Sequence, residues 1–259
     1  MERTAGHPFV AGPPIYIVAR TLIAPHRPLP RVISAALEAG ADGVELPQEV
    51  VPMLMNPDDF EDFPQFNTPP VLDALQPLFA DGQVRHDALL TTVLQARALG
   101  CRLVTFPLGE ATQLTSEPLD TLRVAVTTAY TQAPGVQVTI ANDRSPASAD
   151  VSLWPELFEQ ISGWEHPVRL TFDLDSWIAM GIDAVRAAKE LGRYVVHIRV
   201  GQNALDTSTH REELALAHVL ELLPANAPRA LAPNDTTADH AQLVVVLQES
   251  VNRLRGVTL

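Results

Sequence analysis

The chain has 259 residues, of which 46% are apolar, enough to bury one large core and close to the usual length of a (β/α)8 barrel. Acidic residues outnumber basic ones by 31 to 18, a net charge of -13. Such a surface repels phosphate backbones and anionic lipid heads, which argues against nucleic-acid and membrane-surface binding. The one cysteine, Cys101, has no internal disulfide partner and opens an apolar run, so it reads as a buried structural thiol in a reducing, cytoplasmic setting. No apolar stretch reaches membrane-spanning length, and Met1 to Gly12 lacks the order of a signal peptide and reads as an N-terminal extension.

Along the chain, short β-branched runs alternate with longer helical patterns about every 30 residues, the rhythm of parallel βα units. The expected strands are Pro14–Thr21, Gly43–Pro47, Val71–Gln76, Arg102–Pro107, Val136–Asn142, Val168–Leu174, Tyr194–Val200 and Arg229–Ala232. Between them the periodicity predicts helices at Arg31–Ala39, Asp87–Leu99, Leu119–Thr131, Val151–Ile161, Ile182–Leu191, His210–Leu223 and Asp239–Arg255. Gly40 and Gly100 stop the first two, and Thr209 and Glu212 have capping-box spacing. The stretch from Val51 to Pro70 is rich in Pro, Asp and Phe, which predicts a short or irregular second helix and either a solvated loop or a flap over the mouth. No linker divides the chain, and neither a Gly-x-Gly-x-x-Gly turn nor a phosphate-binding lysine loop follows a strand. The expected architecture is one α/β domain over 1–259, a closed (β/α)8 TIM barrel whose active site would lie at the carboxyl ends of its strands.

Side chains two apart share one face of a strand, so polar residues of one parity at strand exits are the site candidates. Glu45 stands between Val44 and Leu46, where an unpaired carboxylate is costly, and Glu49 shares its parity. Asp143 follows Ala141 at the fifth exit, where it either faces the site or opens a turn. Thr171, Asp173 and Asp175 point one way along the sixth strand, and two like charges so placed call for a cation or a shared proton. Trp177 follows as a substrate platform or a packing residue. His197 and Arg199 share a face opposite Val196 and Ile198. The catalytic candidates are therefore Glu45, Asp173, His197 and Arg199, and the substrate-binding candidates Glu49, Asp143, Asp175 and Trp177.

Several segments carry a family likeness in collinear order from about Ile15 to Arg255: Ala39-Gly40-Ala41-Asp42-Gly43-Val44-Glu45-Leu46, Asp81-Gly82-Gln83, Val138 to Pro146, Thr171-Phe172-Asp173-Leu174-Asp175-Ser176-Trp177 and Leu191-Gly192-Arg193-Tyr194-Val195. They resemble the sugar phosphate isomerase/epimerase family with its xylose isomerase-like barrel, and most of all the epimerase-like proteins of 2-ketogluconate utilisation operons. The resemblance implies a barrel, often dimeric, that isomerises or epimerises a sugar or keto-sugar acid with one divalent cation held by Glu, Asp, His and Glu on strands five to eight. Those positions here read Ala141, Asp173, Arg199 and Ala232, with His197 two residues before Arg199. One Asp holds a divalent ion weakly, so no metal cofactor is expected, and an Asp173–Arg199 ion pair would compensate the buried carboxylate. Three readings follow: a metal-independent isomerase/epimerase, a non-catalytic barrel that binds a small sugar-like ligand or a protein partner, and a relocated metal site built from Asp143, Asp173, Asp175 and His197.

Overall fold

The computed structural model describes residues 12–23, 27–55, 68–111, 115–206, 210–234 and 239–256, with side chains except at 210–214. Eight strands form a closed barrel: β1 (Ile15–Val18), β2 (Gly43–Pro47), β3 (Val71–Asp73), β4 (Leu103–Pro107), β5 (Gln137–Ala141), β6 (Arg169–Asp173), β7 (Val195–Gly201) and β8 (Arg229–Ala232). Every neighbour is parallel, and β8 closes on β1 with Ile15 opposite Arg229. The main outer helices are α1 (Leu29–Glu38), α2 (Val51–Leu54), α3 (His86–Ala98), α4 (Ser116–Gln132), α5 (Leu153–Ile161), α6 (Ala184–Leu191), α7 (His210–Leu222) and α8 (His240–Gly256).

The alternation in the strands divides the core in two. Outward residues such as Ile17, Val44, Leu46, Phe172 and Ile198 pack under the helices in one large cluster. Inward residues Tyr16, Val18, Val71 and Ala230 form a second, smaller cluster inside the barrel, with Leu103 and Ala232 against it. Helix ends follow local chemistry. Gly40 and Gly100 adopt φ of 84° and 73° just past α1 and α3, a left-handed turn that costs glycine little. The Asp183 carboxylate caps α6 by accepting the N–H groups of Val185 and Arg186.

Strand boundaries fall within a few residues of those expected, the largest differences being β1, which spans Ile15–Val18 rather than Pro14–Thr21, and β3, which ends at Asp73 rather than Gln76. Beyond it the chain makes an unforeseen hairpin, Phe79–Ala80 with Gln83–Val84, turned by Asp81 and Gly82 at positive φ. Three short helices, Pro146–Ala149, Leu174–Ala179 and Gln202–Leu205, also go beyond the periodicity, each at a strand exit. The second helix is short, as expected. The acidic stretch expected as a loop or flap, Asp58 to Asp62, and the Thr209–Glu212 capping contact lie outside the described residues. Cys101 is buried, which pushes its thiol up to about 12. Among the described residues, no helix is long and apolar enough to cross a membrane.

Candidate functional site

Three threonines fix which way the strands face. The hydroxyls of Thr105, Thr139 and Thr171, on β4, β5 and β6, bond one another at 3.1, 3.0 and 2.8 Å and are fully buried. Only side chains pointing into the barrel can meet this way. Ala141 and Asp173, two residues on from Thr139 and Thr171, therefore share the inner wall, as Ala232 does beside Val18. A bulge in β7 opposite Leu170 and Thr171 brings His197 into register with Thr171, its Nδ1 3.5 Å from the hydroxyl. His197 is fully buried, with the Tyr16 ring edge-on at 6.4 Å. Burial, reinforced by the Arg199 charge, pushes its pKa down to about 3, so the ring is neutral, and its Nε2 has no hydrogen-bond partner among the described residues.

Above this layer Arg199 crosses the barrel. Its guanidinium donates to Glu45 Oε1, by Nε at 2.9 Å and by a second, shorter bond from Nη2. The same Nη2 meets Asp73 Oδ1 at 2.6 Å. The other Asp73 oxygen lies 3.2 Å from Nε of Arg20, whose Nη2 reaches Glu49 at 3.0 Å. Charges thus alternate Glu49–Arg20–Asp73–Arg199–Glu45 from the exposed rim to the floor of the mouth. Burial raises Glu45 to about 7; Arg199 opposes the shift, and Asp73 and Asp173 add to it. Burial disfavours the Arg199 charge too, but Asp73 and Glu45 outweigh it and raise its pKa. Glu45 Oε2 is buried without a hydrogen-bond partner among the described residues.

The expected Asp173–Arg199 ion pair gives way to this arrangement. Asp173 and Arg199 are register partners on adjacent strands, so their side chains rise side by side, and the longer one passes over to β2 and β3. The Asp173 Oδ1 instead accepts the Ser176 N–H at 2.9 Å and caps the Leu174–Ala179 helix. Asn142 clamps the Asp173 backbone with two 2.7 Å bonds. Asp173 is half-buried, its pKa raised by burial against the pull of Arg199.

The remaining candidates separate. Glu49 is 44% exposed and sits at the rim on Arg20. Asp175 is half-buried, raised by burial and by Asp173, and accepts the Gly201 N–H. Asp143 is drawn into loop structure, accepting from the Gly109 N–H (2.7 Å), the Ser145 N–H (2.9 Å) and the Ser148 hydroxyl (2.8 Å). Trp177 is no platform at the mouth: it is fully buried on the helix side of the sheet, against Trp154 and Phe172. Among the described residues no group of three His, Cys, Asp or Glu side chains gathers as a metal-ligand set. The relocated site is not assembled here, because Asp143 is engaged in its loop and His197 lies a layer below Arg199. Asp73 and Arg20 are the residues the sequence reading missed. The parity rule reaches both, since Asp73 alternates with Val71 and Arg20 with Val18, but Asp73 ends its strand three residues before the apolar pattern does and Arg20 lies beyond the last residue of β1.

No family model matches the sequence, and no curated protein matches it. Solved structures do match the fold. D-psicose 3-epimerase from Clostridium cellulolyticum H10 superposes with a TM-score of 0.67 at 13% identity, over 95% of this chain and 99% of that one. The 3-keto-D-glucoside 4-epimerase YcjR from E. coli gives 0.67 at 12% identity, over 94% and 99%. A xylose isomerase domain protein from Alicyclobacillus acidocaldarius gives 0.62 at 15%, over 96% and 99%. The chain therefore has the xylose isomerase-like (β/α)8 fold, and identities this low carry the likeness no further than fold.

Proposed function

We propose that this barrel is of the sugar isomerase/epimerase type, takes a sugar or keto-sugar acid at its strand exits, and works there without a divalent ion. The observation that carries the reading is Arg199, a permanent cation held by Glu45 and Asp73 on the inner wall beside Asp173. By the family resemblance, a metal-binding His would stand at that position. The residues present do not fit the metal: Ala141 and Ala232 offer no donor atom, Arg199 repels a cation, and Asp173 is left alone among the four positions. The likeness to proteins of 2-ketogluconate operons makes keto-sugar acids part of the ligand set.

Isomerisation or epimerisation next to a carbonyl begins with removal of a carbon-bound proton and ends with its return. Asp173 is the reachable base: it is half-buried and its raised pKa moves it toward neutrality. The proton goes to its carboxylate while the electron pair moves onto the carbonyl oxygen, giving an enediolate that guanidinium N–H groups of Arg199 stabilise. Glu45 is closed beneath Arg199 and serves as a second proton carrier only if that arginine moves.

The test is deuterium uptake from D2O into a panel of ketoses and keto-sugar acids, with chelator present. Exchange that survives the chelator and falls about 100-fold or more in Asp173→Asn supports the reading. Exchange that requires added Mn2+ or Mg2+ overturns it. A second reading, a non-catalytic barrel, is favoured by the full burial of Glu45 and His197, which keeps both from touching a ligand in this conformation. Thermal stabilisation by a sugar with no exchange in any compound selects it.

A further inference from the structure

The row of charges across the mouth leaves hydrogen-bond donors over. Arg199 places Nε on Glu45 and Nη2 on Glu45 and Asp73. Arg20 places Nε on Asp73 and Nη2 on Glu49 and the Asp73 carbonyl. A guanidinium has a third nitrogen, and the Nη1 of each arginine has no hydrogen-bond partner among the described residues. These two nitrogens belong to neighbouring cations. Asp73 holds one guanidinium on each of its oxygens, Arg199 at 2.6 Å and Arg20 at 3.2 Å, so the two stand one carboxylate apart. Around the barrel β7 lies between β6 and β1, which gives the order Asp173, Arg199, Arg20 at the mouth.

The two arginines are not equally held. The Arg199 side chain is 12% exposed, and its partners Glu45 and Asp73 are buried. The Arg20 side chain is 38% exposed and the Glu49 side chain 44%, an open ion pair that water and salt weaken. Glu49 is therefore the member of the row that a ligand can displace. An anion that takes its place exchanges one carboxylate for another on Arg20. The acid excess of the molecule then sets no new barrier at that position.

We propose that Arg20 is the specificity-determining residue of the mouth, taking the carboxylate of a 2-keto sugar acid in place of Glu49 while Arg199 takes the adjacent carbonyl oxygen. This rests on the sugar reading above and narrows it to ligands whose acid group is bonded directly to the carbonyl carbon. In such a compound the C1 carboxylate and the C2 oxygen sit on adjacent carbons, which suits two guanidiniums one carboxylate apart. C3 then falls toward Asp173. The C3 proton passes to the Asp173 carboxylate, the C3–H electron pair forms a C2–C3 double bond, and the carbonyl pair moves onto the C2 oxygen beside Arg199. Return of a proton to C3 completes the epimerisation. A phosphate ester at C1 carries its charge further from the carbonyl and fits the pair of cations less well.

The experiment measures deuterium exchange from D2O, with chelator present, in three sets of compounds: 2-hexulosonates, the ketohexoses that differ from them only at C1, and ketohexose 1-phosphates. The expected result is a kcat/KM about tenfold or more higher for the acid than for its matched ketose, carried by KM. Arg20→Gln should bring that ratio to near one, and Arg20→Lys should restore part of it. Glu49→Gln, which removes the competing carboxylate, should raise the ratio about threefold. Ketoses that exchange as well as their acids, 1-phosphates that exchange better, or an acid preference that survives Arg20→Gln overturn the inference and leave the sugar reading standing. Exchange in none of the three sets, with no thermal stabilisation by any of them, removes both.

Discussion

Glu45 shows how a single buried carboxyl takes its character from its surroundings. In the unfolded chain it titrates near 4.5, and in the folded barrel near 7, because burial outweighs the attraction of Arg199. Between those values the folded protein holds the proton more tightly than the unfolded chain. The stability this contributes is fully present below about pH 4.5 and is lost as pH rises through 7. The span corresponds to at most about 3 kcal/mol. Asp173 and Asp175, also raised by burial, tilt stability the same way. Urea denaturation at pH 5 to 8 should show stability falling with pH, and Glu45→Gln should flatten the slope without abolishing it; an unchanged slope would contradict the assignment. Gly201 depends on space rather than charge. Its φ of -78° suits any residue, and the nearest obstacle to a side chain there is the Asp175 carboxylate. Gly201→Ala should cost about 1–3 kcal/mol, and a double-mutant cycle with Asp175→Ala should recover at least about 0.5 kcal/mol of it.

At the scale of elements, the strand exits are tied together by side chains acting as pieces of backbone. Asn142 continues the β5–β6 ladder through its amide, and Asp143 gathers the β4 and β5 exits by accepting from Gly109, Ser145 and Ser148. These ties hold Asp173 and the rim of the mouth at fixed positions, which a site built on strands requires. Removing the Asp143 carboxylate leaves two backbone N–H groups without an acceptor, at about 1–3 kcal/mol. For Asp143→Ala we therefore expect that loss of stability, together with faster amide hydrogen exchange at Gly109 and Ser145. Amides within the barrel strands should keep their protection. If exchange instead rises throughout the barrel, the bonds are supporting the whole fold rather than the two exits.

At the scale of the whole molecule, the net charge of -13 stores self-repulsion that salt relieves. Raising ionic strength from about 0.01 to 0.15 M shortens the screening length from about 30 to 8 Å, so Tm should rise by a few degrees. The enclosed Glu45–Arg199–Asp73 contacts are screened much less, and Arg199→Met should remain destabilised by about 3–5 kcal/mol at either salt level because it leaves two buried acids without their cation. Thermal melts of both proteins at the two ionic strengths check this. The barrel is legible in local pattern: period-two runs such as Gly43–Pro47 and Arg229–Ala232 and helices stopped at Gly40 and Gly100 need no help from distant residues. The sequence also indicates that Glu45, Asp173, His197 and Arg199 face inward, since parity is a property of one strand. Which of these side chains meet is set by the closed barrel. Arg199 passes its register neighbour Asp173 to reach Glu45, 154 residues away, and Asp73, 126 residues away, because strand stagger and side-chain length, which no single strand encodes, set the reach across a closed barrel.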